Sequence, residues 1–414
     1  MSHFRRWRAS CSQLLLLISL SCCVVCPAFA QSPAETTIRQ LVRDFFATYE
    51  RRDVGALMSF WSDASPEKEA TAKRFQQSFD GTEKVEVKGL EILSVEVKGN
   101  EARAEVTTEM VLTPKGQPAG KATKINRVMR LVWEKDSWKL LRYTPAEEEL
   151  AAELFRLKTD EERKALLFEK KRLLSPVLLE ALFNAGHESY DHGDFAEATA
   201  RYNLALTLAE QLGDRSLISD GQRFIGNVHL AQGNYPQALQ NYQSSLKISE
   251  ELDIKQDIIG VSINLGHVQA MQSNYREALG YYQKALELAQ QIGWKEIIPN
   301  ALLSIGNVYK AEGDYAQALE FYQRSLKLVE ETKFLPLIAV LLNNMGNVSH
   351  SQNNAIQALE FYQKSLKLAE EMGNKDRVAM TLLNIGGVHS SQGNYAQALE
   401  YYQRSLKLAE EAGT

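Results

Sequence analysis

The stretch NIGGVHSSQGNYAQALEYYQRSLKLAEE, Asn384 to Glu411, decides how this chain is read. Its small and large residues sit at fixed places: Gly386, a Gly393-Asn394-Tyr395 turn, then Ala398, Tyr402 and Leu406 four apart. Spacing of four puts residues on one helix face, so the phrase reads as two helices around a turn. Gly stops the first and Asn starts the second. The phrase returns every forty residues. Gly186, Gly226, Gly266, Gly306, Gly346 and Gly386 are in register, as are Tyr202, Tyr242, Tyr282, Tyr322, Tyr362 and Tyr402. A mid-helix Gly costs about 1 kcal/mol against Ala. Six such costs need an offset, and close helix-to-helix approach supplies one.

This register resembles the tetratricopeptide repeat. The likeness covers residues 176–414 and implies an α-solenoid of six helical hairpins. The forty-residue unit, with Glu or Gln where Pro usually ends the second helix (Glu210, Glu250, Gln290, Glu330, Glu370, Glu410), resembles the long-repeat class seen in kinesin light chains. The fifth copy departs from the pattern, with Asn353 for the turn Gly and Ala355 for the turn aromatic, and is expected to be the softest. Glu320/Arg324, Glu360/Lys364 and Glu400/Arg404 are i,i+4 pairs and read as a solvated face.

In this family the first helix of each hairpin lines the concave side, with exposed positions two before and one after the motif Gly. Seven of those twelve positions are asparagine: Asn184, Asn227, Asn264, Asn307, Asn344, Asn347 and Asn384. His267 stands at an equivalent place. Asn is a poor helix former, and its amide both donates and accepts. Two readings stay open: the amides grip the backbone of an extended peptide, or they bond neighbouring repeats and solvate the groove. The family's carboxylate clamp of Lys and Arg is not reproduced, since Arg223 and Lys310 stand alone.

Residues 32–145 read differently. Glu35 to Arg52 is an amphipathic helix carrying Ile38, Val42, Phe45, Phe46 and Tyr49. A short helix with Leu57, Phe60 and Trp61 follows, then a third from Pro66 to Phe79. The period then becomes two: Val85 to Val97, a Lys98-Gly99-Asn100 turn, Ala102 to Val106, Lys124 to Glu134 and Trp138 to Tyr143. Three helices and a sheet closing on Trp138-Lys139-Leu140-Leu141-Arg142-Tyr143 resemble the NTF2-like, SnoaL-type cone. That resemblance implies a small α+β domain, of which some relatives are isomerases or dehydratases using Asp with His or Tyr. Residues 32–145 hold no histidine, and Asp44 and Asp53 are only nominal bases. The aromatics read as core. Residues 146–175 read as a helical connector serving as N-cap of the solenoid, with a Thr159/Glu162 capping box and a Ser175-Pro176 helix start.

Residues 1–30 have the pattern of a secretory signal peptide: Arg5, Arg6 and Arg8, an apolar Leu14 to Val25, and Ala28-Phe29-Ala30. All four cysteines (11, 22, 23, 26) lie in it, so the exported chain has no disulfide or thiol chemistry. The expected place is the periplasm or outside of a bacterium, with no stable membrane span after cleavage. A net charge of −5 gives no support to nucleic-acid binding. No P-loop, HExxH or metal-ligand cluster is written, and no cofactor or catalytic residue is assigned. The expected function is a non-enzymatic interaction scaffold. Alternatives are a ligand-binding or enzymatic cone relayed through the array, and a fragment of a larger effector of the CHAT type. The final repeat has no polar capping helix after it, which leaves truncation, self-association or a longer parent as explanations.

Overall fold

The computed structural model describes residues 32–412. The proposed signal segment lies outside them. The chain divides into two compact units, Met1–Leu173 and Leu174–Thr414.

The first unit begins with three helices, α1 (Pro33–Glu50), α2 (Val54–Met58) and α3 (Lys68–Asp80). An antiparallel meander follows: β1 (Thr82–Lys98), β2 (Glu101–Pro114), β3 (Thr123–Glu134) and β4 (Ser137–Pro145), paired in that order. Alternation puts Ala102, Ala104, Val106, Met129, Leu131 and Leu140 on the face that packs against Ile38, Val42, Phe45 and Phe46. The aromatic stripe read from the sequence is therefore core, with Trp61 2% exposed and Phe60 and Tyr49 packed beside it. Asp53 accepts from the Ala56 N–H at 2.9 Å and caps α2. Asp44 is exposed and bonds Gln40. Both side chains thus have ordinary structural or solvated roles here.

Residues 146–175 hold α4 (Ala146–Arg156), α5 (Asp160–Glu169) and a 3-10 turn at Lys171–Leu173. The capping box forms at Thr159, and Ser175 caps the next helix through Leu178 N–H. The placement of α4 was not expected: it lies on β3 and β4, on the sheet face opposite the helices. Its apolar stripe, Leu150, Ala151 and Leu154, is buried there, and Glu149 bonds Arg103 and Arg130. An amphipathic helix must cover something, and its own sequence does not say which surface.

The second unit is six hairpins. Their first (A) helices are α6 (Pro176–Asp191), α8 (Arg215–Ala231), α10 (Lys255–Met271), α12 (Ile298–Glu312), α14 (Leu335–Ser351) and α16 (Lys375–Ser391). Their second (B) helices are α7 (Phe195–Leu212), α9 (Tyr235–Glu251), α11 (Tyr275–Ile292), α13 (Tyr315–Thr332), α15 (Ala355–Glu371) and α17 (Tyr395–Ala412). The six motif glycines are buried, and each faces the Tyr ring of its own hairpin. At Gly306 and Gly386 the facing backbone is close as well, since a Cβ would stand 3.3 Å from the carbonyl oxygens of Ala318 and Ala398. A Cβ on Gly226 would lie 2.7 Å from Tyr242 Cε1, and one on Gly306 2.6 Å from Tyr322 Cε1. The glycine is a notch, and the ring fills it. Tyr202, Tyr242, Tyr282, Tyr322 and Tyr362 are each at most 2% exposed.

All six A-to-B turns place one residue in the left-handed region. Four use Gly, the third uses Ser273 (φ 61°) and the fifth Asn353 (φ 58°). Asn353 tolerates that conformation, and Asn354 still caps α15 through Gln357 N–H. Ser273 has no such excuse. A left-handed L-residue costs roughly 1–2 kcal/mol, partly offset by the greater unfolded-state freedom of Gly. Ser273→Gly is therefore expected to stabilise the array by about 0.5–1 kcal/mol. Asn353→Gly should gain less. Paired thermal melts of the two variants check both the sign and the order.

Candidate functional site

Three of the five pairs of successive A helices touch one another (α6 with α8, α10 with α12, α14 with α16). Hydrogen bonds cross from A helix to A helix at Asn227–Asn264, Asn307–Asn344 and Asn343–Asn384, so the predicted Asn positions lie on the side where the A helices face one another.

The site rests on the buried tyrosines. Each ring crosses its glycine notch, and in four of the six hairpins it delivers its hydroxyl to the side chain of the next residue of the A helix. Tyr242 donates to Asn227 Oδ1, Tyr322 to Asn307 Oδ1 and Tyr362 to Asn347 Oδ1, all at 2.7 Å. His187 Nδ1 lies 2.6 Å from the Tyr202 hydroxyl. Burial pushes the pKa of Tyr242, Tyr282, Tyr322 and Tyr362 up, and that of Tyr202 up to about 12. These hydroxyls stay protonated and remain donors.

The same amide oxygens take a second bond from the following A helix. Asn264 Nδ2 donates to Asn227 Oδ1 at 3.2 Å, and Asn344 Nδ2 to Asn307 Oδ1 at 3.1 Å. Between these pairs, His267 Nε2 stands 3.5 Å from Ser304 Oγ. A recess of about 150 Å³ opens there, lined by His267, Tyr282, Ser304 and Asn307 among others. The His267 ring reaches solvent, yet the wall around it desolvates the imidazole and lowers its pKa. His187 is lowered too, by burial first and the Arg223 charge second.

Bonding between repeats, one of the two readings of the asparagines, is thus present for Asn227, Asn264, Asn307, Asn344 and Asn384, whereas Asn347 bonds within its own hairpin. It uses only part of each amide. Two bonds to one oxygen fix the flip of Asn227 and Asn307. Among the described residues, Asn227 Nδ2 and Asn264 Oδ1 make no internal hydrogen bond, and the same holds for Asn307 Nδ2 and Asn344 Oδ1. Asn184 is exposed and joins no ladder.

At the last pair the pattern changes. Asn384 Nδ2 donates at 3.0 Å to Asn343 Oδ1, which also faces Asn347 Nδ2 at 3.5 Å. Asn343 Nδ2 donates to Thr381 Oγ1 at 3.1 Å. Asn343 escaped the sequence reading, though a signal existed: its register holds Ile263, Leu303 and Leu383 in the third, fourth and sixth copies. An amide among aliphatics is a buried polar group that requires partners. Of the two isolated cations, Arg223 pairs with Asp220 at 2.6 Å and covers the Phe224 ring. Lys310 has no ion pair among the described residues, and burial lowers its pKa.

Comparison with known proteins bears on the array. A search of curated proteins returned no match. Among solved structures, a signal-transduction ATPase with numerous domains and a tetratricopeptide-repeat sensor, from Pyrococcus horikoshii, superposes with a TM-score of 0.51. Its identity is 16%, and the match covers 69% of this chain and 51% of that one. The apo form of RapI matches at 16% identity and TM-score 0.47, over 57% of this chain and 98% of its own. A Rap protein complexed with Competence and Sporulation Factor matches at 14% and 0.46, over 64% and 84%. At these identities the likeness concerns the fold. The tetratricopeptide repeat model matches residues 177–251, 257–331 and 337–411. That is more than half of the sequence, and the chain belongs to the tetratricopeptide repeat family.

Proposed function

We propose that the array is a receptor for an extended peptide, or an extended segment of a partner protein, laid along the inner face of the A helices. The observation that carries this reading is the half-used amide pair. Asn227 with Asn264, and Asn307 with Asn344, each leave an amide NH2 group and one C=O acceptor uncommitted. A peptide group offers the complementary pair. Each bond is worth only about 0.5–1.5 kcal/mol net, so affinity needs several. Tyr hydroxyls already hold the amide orientation, which removes part of the ordering cost of binding. Backbone capture of this kind reads extension more than charge, and the groove has no carboxylate clamp to contradict that.

The remaining parts are proposed on sequence grounds. Residues 1–30 direct export to a bacterial envelope compartment. Residues 32–145 are an NTF2-like domain serving as a structural module, since the candidate aromatics fill its own core. No catalytic role is assigned.

The test is Asn264, Asn344 and Asn384 changed together to Ala. Each loses a partly exposed bond, while Ala gains helix propensity of about 0.5 kcal/mol per site. Asn227 and Asn307 keep their Tyr partners, so the circular-dichroism melt should move little. Partner proteins enriched from an envelope extract by the wild-type chain, scored by quantitative mass spectrometry, should be lost with the triple variant. Equal enrichment by both would remove the groove from the function.

A further inference from the structure

The gaps between successive A helices are not alike, and register shows where they differ. The residue four after one motif Gly faces the residue five after the next, as His350 and Ser391 do at 3.2 Å. At the first of these two places, four of the five gaps carry a bulky side chain: Tyr190, Leu230, Lys310 and His350. Leu230 packs on the core formed by Tyr242, Val261 and Leu265. The gap between the third and fourth hairpins has Ala270 instead, opposite Ala311, and both line the recess of about 150 Å³. The recess is therefore room that its neighbours fill from within.

Its chemistry is narrow. The lining is apolar at Ala270, Val308 and Ala311 and aromatic at Tyr275 and Tyr282. His267 and Ser304 face each other at 3.5 Å, so neither demands a polar guest. Among the described residues no Asp, Glu, Lys or Arg lines the recess, and desolvation holds the His267 imidazole below its usual pKa. A charged side chain entering here would lose water and find no counter-charge. An apolar cavity of about 150 Å³ holds one benzene, which sets the size of the guest. Ala311 and His267 are exposed, so the recess is open to solvent.

The amide pairs flank it. Asn227 with Asn264 spans the gap before, and Asn307 with Asn344 the gap after. Packed helices lie roughly 8–10 Å apart, and an extended chain advances about 3.3–3.6 Å per residue. A side chain in the recess thus stands about three residues from each amide pair.

We propose that the recess is the specificity subsite of the array: it takes one uncharged apolar side chain, between leucine and phenylalanine in size, from the middle of the bound segment. This rests on the peptide reading above and adds sequence preference to backbone capture.

Random linear dodecapeptides displayed on phage, selected on the full chain, test it. Selected peptides should share one position held by Leu, Ile, Met or Phe. In synthesised copies followed by fluorescence polarisation, changing that residue to Ala should weaken binding at least fivefold, and changing it to Lys or Glu should weaken it further. A270L combined with A311M places in this gap the pair that the preceding gap has as Leu230 and Met271, so the melt should match wild type. Towards this filled variant the same Ala change should cost less than twofold. Binding by the triple Asn variant reports on the amides alone, so the two readings fail separately. No selected binder, binders without a recurrent apolar position, or an Ala penalty equal for wild type and filled variant overturns the proposal.

Discussion

Gly306→Val is expected to lower the melting temperature of the repeat array by roughly 5–15 °C, from about 2–4 kcal/mol of overpacking. A Cβ there would stand 2.6 Å from Tyr322 Cε1 and 3.3 Å from the Ala318 carbonyl oxygen. The ring cannot retreat, because it is fully buried and its hydroxyl is bonded to Asn307. Val adds two methyls and a restricted χ1 to that contact. Gly306→Ala is the sharper companion. Helix propensity alone predicts about 1 kcal/mol of stabilisation, whereas the clash predicts the opposite sign. Against Tyr322→Leu, where the ring is gone, the same Gly306→Ala change should turn neutral or favourable. A double-mutant cycle by thermal or denaturant melts measures that coupling. If Gly306→Ala stabilises the wild-type background, the notch is not what fixes the hairpin.

The second large effect is expected at Glu105. Its side chain is almost wholly buried on the outer sheet face. It is met by Arg172, by Arg103 at 3.4 Å and by Lys170 at 4.0 Å. Removing one partner of a buried ionic cluster costs about 3–5 kcal/mol, because the others are left uncompensated. Glu105→Ala should destabilise the N-terminal unit by that order. It should also free the segment that carries Lys170 and Arg172. Limited trypsinolysis should cut near residues 170–172 well before it cuts wild type, while the array transition stays in place. Glu96→Ala, on the same face but exposed, is the control and should change neither. Equal cleavage of Glu105→Ala and wild type would show that the cluster holds nothing down.

The helices and strands were largely legible because both periods are written plainly. The forty-residue register gave every hairpin, and the switch to alternation at Val85 gave the sheet. What stayed hidden depended on partners far along the chain. The spacing of the motif glycines shows that two helices need room there, but not that a ring takes most of it. The ring of Tyr322 reaching over Gly306 requires coordinates. The amides were found, yet their sharing of one oxygen, as at Asn227, rests on a bond between residues 37 apart. The row of Arg103, Arg130 and Arg142 that the register sets across β2, β3 and β4 was invisible for a different reason. Strands were legible, but register was not, and a one-residue slip moves a side chain to the other face. The bulge beside Arg142 is such a slip.

Each tyrosine seals the notch of its own hairpin, and the same B helix packs on the A helix of the hairpin that follows, as Tyr242 does with Val261 and Leu265. The seam between units is therefore as apolar as the inside of one. Whole units can be gained or lost by duplication or deletion only where the new neighbours present matching faces, a condition that near-identical copies meet from the start.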